Sequence, residues 1–265
     1  VFATARGWED LSELIKTYEQ LGLTVDKDVV YQYIQHWKIA KDFANYLELY
    51  YKYRQDYGIG ELLKGNWKKE TISRIAGASF DEKICVIGLL ASRLGRFFRS
   101  YVEIDENVTR IYSYLKQYKE KLPEETIAQI RSYAQADYEQ ELKGEFLSRS
   151  AQKSWKQTLF MLEQYEKKVR EEKLKKEAAF ETVKACFGEL LEKREDAIET
   201  AKEALEYGFD FMEEAFGESQ EMVSFVTELN ADPSALKFIT ENGCDRYYRY
   251  NKALMMEESH RELLQ

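Results

Sequence analysis

Thr4-Ala5-Arg6-Gly7-Trp8-Glu9-Asp10-Leu11-Ser12 begins the stretch whose spacing decides the fold: Trp8, Leu11, Ile15 and Tyr18 recur every three or four residues, and Leu14 and Leu21 widen the stripe before Gly22. That period belongs to a helix with one apolar face. Thr4 offers an N-cap oxygen, Glu9 and Asp10 lie near the positive end of the helix dipole, and Gly22 suits the residue that stops a helix. A second helix is predicted from about Asp26, with Val29, Val30, Tyr33, Ile34 and Trp37 inward, and a third over residues 38–57. In the third, Phe43, Tyr46, Leu47, Tyr50, Tyr53 and Tyr57 form a broad aromatic face, read as packing against the first two helices. Base stacking needs basic companions, and Lys52 and Arg54 are too few.

The rest of the chain has the same character. Its 265 residues are 44% hydrophobic and 14% aromatic, enough for substantial cores, and 13 Gly with two Pro leave few forced breaks, so an all-α fold is expected. The formal charge of -9 argues against a general nucleic-acid binder, which needs a dense positive surface. Cys85, Cys186 and Cys244 are far apart and odd in number, giving neither a zinc pattern nor a disulfide framework and pointing to a reducing, cytoplasmic setting. There is no apolar run of membrane-spanning length and no leader, so no membrane partner is expected. Val1 in place of Met is what is expected of a chain cut from a longer protein or of one processed at its start.

Gly60-Glu61-Leu62-Leu63-Lys64-Gly65-Asn66-Trp67 has the glycine spacing of a phosphate loop but lacks the Lys and Ser/Thr that follow it, and reads as two breaks around a short helical turn. Beyond it, Ile84, Ile87, Leu90, Leu94 and Phe98 predict one helix and Val108, Ile111, Leu115 and Tyr118 another. After Pro123 a further helix is expected, with Glu124 and Glu125 in its first turn and Ile127, Ile130 and Tyr133 inward. Arg93, Arg96 and Arg99 beside Phe97, Phe98 and Tyr101 read as the charged edge of an amphipathic helix.

From Glu145 to Phe187 there is neither Gly nor Pro. Phe180, Val183, Phe187, Leu190, Ala197, Ala201 and Ala204 then keep three-four spacing, with Arg194 interrupting the seam, the pattern of a coiled-coil arm. Either one very long helix results, or a hairpin in which Trp155, Leu159, Leu162 and Val169 supply the partner stripe and the chain turns near 171–177. The tail shows Met222, Phe225, Val226 and Leu229, a break at Asp232-Pro233, Leu236, Phe238 and Ile239, and a final helix opened by Asp245-Arg246-Tyr247-Tyr248-Arg249-Tyr250. That Tyr/Arg cluster is read as structural. The organisation expected from these breaks is a helical bundle over 1–62, a second over 63–148, a long helix or antiparallel hairpin over 149–217, and a C-terminal helical segment over 218–265.

Catalytic patterns are scarce. His36 and His260 are the only histidines, and Glu257 with His260 makes a single Glu-x-x-His where a di-iron bundle needs two, so no metal site and no catalytic residue are assigned. The sequence contains no nucleophile elbow, zinc-protease helix or dinucleotide fingerprint, and its many Glu residues read as solvated helix faces.

Ala3-Thr4-Ala5-Arg6-Gly7-Trp8-Glu9 resembles the Ser-Pro-Arg-type start of the lid helix in MoxR-family AAA+ ATPases, especially bacterial members with an Arg-x-Trp-Glu variant. Ala5 stands where proline is usual, and Gly7 follows the arginine where small residues are typical. The resemblance covers residues 1–57 and implies an AAA+ lid-type bundle followed by a helical domain with long coiled-coil-like helices. It implies that Arg6 is the sensor 2 residue, reaching from the lid to the terminal phosphate of ATP. The chain itself is then non-catalytic and holds no cofactor. ATP and Mg²⁺ belong to the parent ATPase, a chaperone-like remodelling motor. The implied partners are the missing AAA+ core, neighbouring ATPase subunits in a ring, commonly a hexamer, and a protein with a von Willebrand factor A domain. The competing reading is a free-standing all-helical scaffold or protein-protein interaction module unrelated to ATP. A third, a helical enzyme working with scattered carboxylates, predicts a concave pocket with perturbed acids and a bound metal.

Overall fold

In the computed structural model, which describes residues 3–122, 124–144 and 147–263, with side chains to Leu254 in the last helix, every regular element among the described residues is an α-helix. The first three are α1 (Ala5–Gln20), α2 (Lys27–Tyr33) and α3 (Trp37–Asp56), each started by a side chain that takes an orphan amide. The Gly7 amide donates to Thr4 Oγ1 at 3.1 Å, the Val29 amide to Asp26 Oδ1 at 3.0 Å, and the Ile39 amide to His36 Nδ1 at 3.4 Å. Leu11, Val30, Ile34, Ala40 and Leu47 form their shared core, and Trp8 meets Phe43 edge-on with ring centroids 4.9 Å apart.

Four expectations for this bundle need correction. Leu21, expected to widen the α1 stripe, is exposed, and of the aromatic face of α3 Phe43, Leu47 and Tyr50 pack on the bundle core, while Tyr46 is exposed and Tyr57 donates to Glu82. Trp37 is 62% exposed, because it is the first residue of α3 and follows the His36 cap on the outer side of the turn. Glu9 and Asp10 fall in the second turn of α1, whose first turn carries no acidic residue.

The chain packs as two compact units, the first formed by Val1–Arg93, Ala204–Ala231 and Asp245–Gln265, the second by Leu94–Glu203 and Asp232–Cys244. The first unit also holds α4 (Ile59–Leu62), α5 (Lys69–Ala76), α10 (Gln220–Ala231), α12 (Asp245–Leu263), the start of α6 (Phe80–Glu120) and the end of α9 (Lys176–Phe216). Here Phe209 packs against Phe225 and Tyr250 at 5.3 and 5.9 Å, and Trp67 against Phe211 at 6.0 Å.

The second unit is built from the remainder of α6 and α9 with α7 (Ile127–Lys143), α8 (Arg149–Glu171) and α11 (Pro233–Asn242). Ile111, Leu115, Ile130, Trp155, Leu162, Val183 and Leu190 belong to one core across four of these helices. Phe238 of α11 covers Phe98 and Tyr101 at 5.0 and 5.2 Å. Where two helices were expected over 84–118, α6 is one helix of 41 residues, because its apolar stripe runs on through Tyr101, Val108 and Ile111 without a breaker. Gly95 within it serves a close approach: a Cβ there would lie 2.6 Å from Asp232 Oδ2, the partner of Arg99. The helix after Pro123 begins at Ile127, later than expected, since Gln129 Oε1 accepts from the Thr126 amide at 2.8 Å and fixes Thr126 as the cap. Glu125 therefore precedes that helix and accepts from Lys121 and from Tyr133, which is exposed rather than inward because its hydroxyl reaches out to this carboxylate.

Of the two forms open for residues 149–217, the structure has the hairpin. The Leu174 amide donates to Val169 O at 3.0 Å and the Lys173 amide to Arg170 O at 3.2 Å, the paired bonds of a Schellman stop, and Val169 and Leu174 both pack on the core. Lys173 holds the left-handed position at φ 53°, and Lys176 enters α9 at φ 52°. No glycine marks this turn, which is why sequence alone left it undecided.

Candidate functional site

The one site residue that sequence reading singled out, Arg6, stands in the first turn of α1. Three features fix its backbone. Thr4 caps the turn, Trp8 and Leu11 bury the opposite face, and Gly7 lies so near the end of α2 that a Cβ on it would meet Tyr33 O at 2.6 Å. The Arg6 side chain itself is 90% exposed, and its closest acidic neighbour is Asp10, with Nε to Oδ2 at 3.9 Å. First-turn amides lack intrahelical acceptors and form the positive end of the dipole. A permanently charged fork of donors beside that end attracts an anionic oxygen such as a phosphate's. It supplies no base, nucleophile or Mg²⁺ ligand.

The other sequence candidates are absorbed into structure. Gly65, at φ 75°, sits against the Tyr207 ring, where a Cβ would lie 2.6 Å from Cε1, and Glu61 accepts from Lys64 and Asn66, so the phosphate-loop-like stretch is an ordinary helix stop. In the Tyr/Arg cluster, Arg246 pairs with Asp210, Arg249 donates to Glu213 Oε1 at 2.7 Å, and Tyr247 OH donates to Asn230 Oδ1 at 2.6 Å. His36 is a helix cap, while the side chains of Glu257 and His260 lie outside the described residues. Among the described residues no group of three or more His, Cys, Asp or Glu is arranged to hold a metal, and no helix is long and apolar enough to cross a membrane. The three cysteines are buried and form no disulfide.

Two polar clusters of the second unit escaped sequence reading. Asp105, 8% exposed, accepts from Arg194 Nε at 2.8 Å and Lys237 Nζ at 2.9 Å, while Tyr101 OH donates to Glu241 Oε2 at 2.7 Å. Burial works against charge on Lys237, but the Asp105 carboxylate outweighs it and holds the ammonium above its ordinary value. The signal was Arg194 breaking an apolar seam. Its meaning needed a partner 89 residues away. In the second cluster Arg110 donates to Ser154 and Thr158 at 3.1 and 2.9 Å, Thr158 donates to Asn107 Oδ1 at 2.7 Å, and the guanidinium lies 4.3 Å from the centre of the Trp155 ring. Burial pushes the Arg110 guanidinium down. Both clusters satisfy their own members, so they hold helices in register and leave no group free for chemistry.

No protein-family model, curated protein or solved structure matches this chain.

Proposed function

We propose that this chain is the lid and C-terminal helical extension of a MoxR-like AAA+ ATPase, with Arg6 as the sensor 2 arginine. The observation that supports the reading is the contrast at the head of α1, where a rigidly anchored turn carries a guanidinium that is 90% exposed. A lid arginine needs that arrangement. Its backbone must move with the bundle while its charge stays free to meet a phosphate in another domain. In this reading ATP and Mg²⁺ sit in the nucleotide-binding core, and the chain contributes nucleotide sensing and partner contacts to a chaperone-like remodelling motor. Neighbouring ATPase subunits and a protein with a von Willebrand factor A domain are its partners.

The test uses the complete product of the gene. An in-frame nucleotide-binding core upstream is expected, and in that protein Arg6→Ala should lower the ATPase rate at least about tenfold, since removal of one group that stabilises transition-state charge costs that much or more. The isolated chain should show no turnover. Equal rates for the two full-length proteins would remove Arg6 from the site. A gene with no such core would leave the helical interaction module in its place.

A further inference from the structure

We propose that the α8–α9 tip is a docking point for an acidic segment of a partner protein. This does not depend on the ATPase reading, because the tip lies in the second unit and its chemistry needs no nucleotide.

The chain as a whole is acidic, yet residues 167–177 carry six basic and three acidic side chains. Lys173, Lys175 and Lys176 are all exposed, and among the described residues none closes an ion pair, although Glu171, Glu172 and Glu177 are close in sequence. Elsewhere lysines do find local carboxylates: Lys16 reaches Glu13 at 2.7 Å and Lys64 reaches Glu61 at 2.6 Å.

The backbone gives a second, independent reason. Among the described residues two other helices stop in the same Schellman pattern, and both place glycine at the left-handed residue, Gly22 after α1 and Gly65 after α4. At the α8–α9 turn that residue is Lys173, and three residues later Lys176 is again left-handed. A side chain with a Cβ is disfavoured there, and glycine satisfies the same hydrogen bonds without the penalty. Strain kept at two exposed positions, both filled by unpaired cations, marks a side-chain requirement that the fold itself does not impose.

The chemistry of the partner follows from the pattern of charge. A continuous polyphosphate seeks an unbroken positive surface, whereas these cations are interleaved with three glutamates on a chain of net charge -9. Discrete carboxylates along a peptide meet single ammonium groups and keep clear of the glutamates between them, so charge complementarity selects an acidic protein segment.

Fluorescence anisotropy with a short fluorescein-labelled peptide of alternating Glu and Ser tests this on the whole chain, with duplex DNA and phosphatidylserine vesicles as parallel probes. The expected result is saturable peptide binding that weakens as salt is raised. The K173G/K176G variant should lose about tenfold in affinity, equivalent to about 1.4 kcal/mol, while its thermal midpoint stays level or rises. K175E, which leaves both left-handed positions untouched, should bind more weakly still. K27Q/K41Q, which removes as many exposed lysines from the first unit, should bind like the native chain. Absence of peptide binding, undiminished binding by K173G/K176G, equal loss in K27Q/K41Q, or tighter binding of DNA or vesicles at the tip would each overturn the proposal.

Discussion

The α1–α3 bundle and the core of the second unit are both made of amphipathic helices, but they handle charge in opposite ways. In the first, caps and a close glycine contact fix the helices and Arg6 stays outside, while an interhelical pair, Arg54 with Glu19 at 3.0 Å, ties α3 to α1. In the second, Asp105, Arg194 and Lys237 are drawn among the helices and paired there, and Arg110 is hydrogen-bonded to the Ser154 and Thr158 hydroxyls. A bundle held mainly by apolar faces and a partly exposed pair can slide by a turn at lower cost. One threaded by paired charges is held to a single register, because any slip leaves an ion unsatisfied.

Four measurements can break or sharpen that contrast. The largest effect is expected in the second core: Leu162 is fully buried, so Leu162→Ala should cost about 3 kcal/mol in urea unfolding, from lost transfer energy plus the cavity left behind. A cost under about 1 kcal/mol would mean that this core is not packed as described. Next, Gly7→Ala should destabilise the α1–α3 bundle by about 2 kcal/mol, since the new methyl group runs into a backbone carbonyl that cannot rotate away. A neutral result would show that α1 and α2 have room to separate. Third, Asp105→Asn should cost about 1–2 kcal/mol by stranding Arg194 and Lys237, whereas Glu103→Gln, on the exposed pair with Lys153, should cost less than about 0.5 kcal/mol. Equal costs for the two would erase the difference between paired charge inside and outside the bundle.

The smallest effect is a pH dependence in the first unit. Burial, with the hydrogen bond from Tyr57 to Glu82 adding to it, pushes the Tyr57 phenol from 10.0 up to about 12. The folded state therefore keeps this proton where the unfolded chain releases it. The corresponding stabilisation is complete below pH 10 and is lost as pH rises from 10 to about 12. Denaturation curves across that window should lose part of their alkaline slope in Tyr57→Phe. An unchanged slope would place the alkaline sensitivity in other groups.

The helices of α1–α3 were legible because each boundary carries its own chemistry: Thr4, Asp26 and Gly22 are local signals, and their bonds are made within a few residues. The tail was legible for the same reason, with Asp232 capping α11 and Pro233 in its first turn. The α8–α9 turn was not, because its left-handed residues are lysines, which carry no turn signal in sequence. The unbroken length of α6 was missed because Asp105 and Asn107 interrupt its apolar stripe in sequence, and the partners that let them be buried, Arg194, Lys237 and Thr158, lie 51 to 132 residues away. The exposure of Arg6 follows from helix phase.

The placement of the three buried thiols has a practical consequence. Cys85 belongs to the first unit, Cys186 and Cys244 to the second, and all three are shielded while their helices are closed. The rate at which a thiol-specific reagent modifies each one reports how often its surroundings open. Without any introduced label, mass spectrometry of the alkylated cysteines can therefore follow the breathing of the two units separately in the same sample.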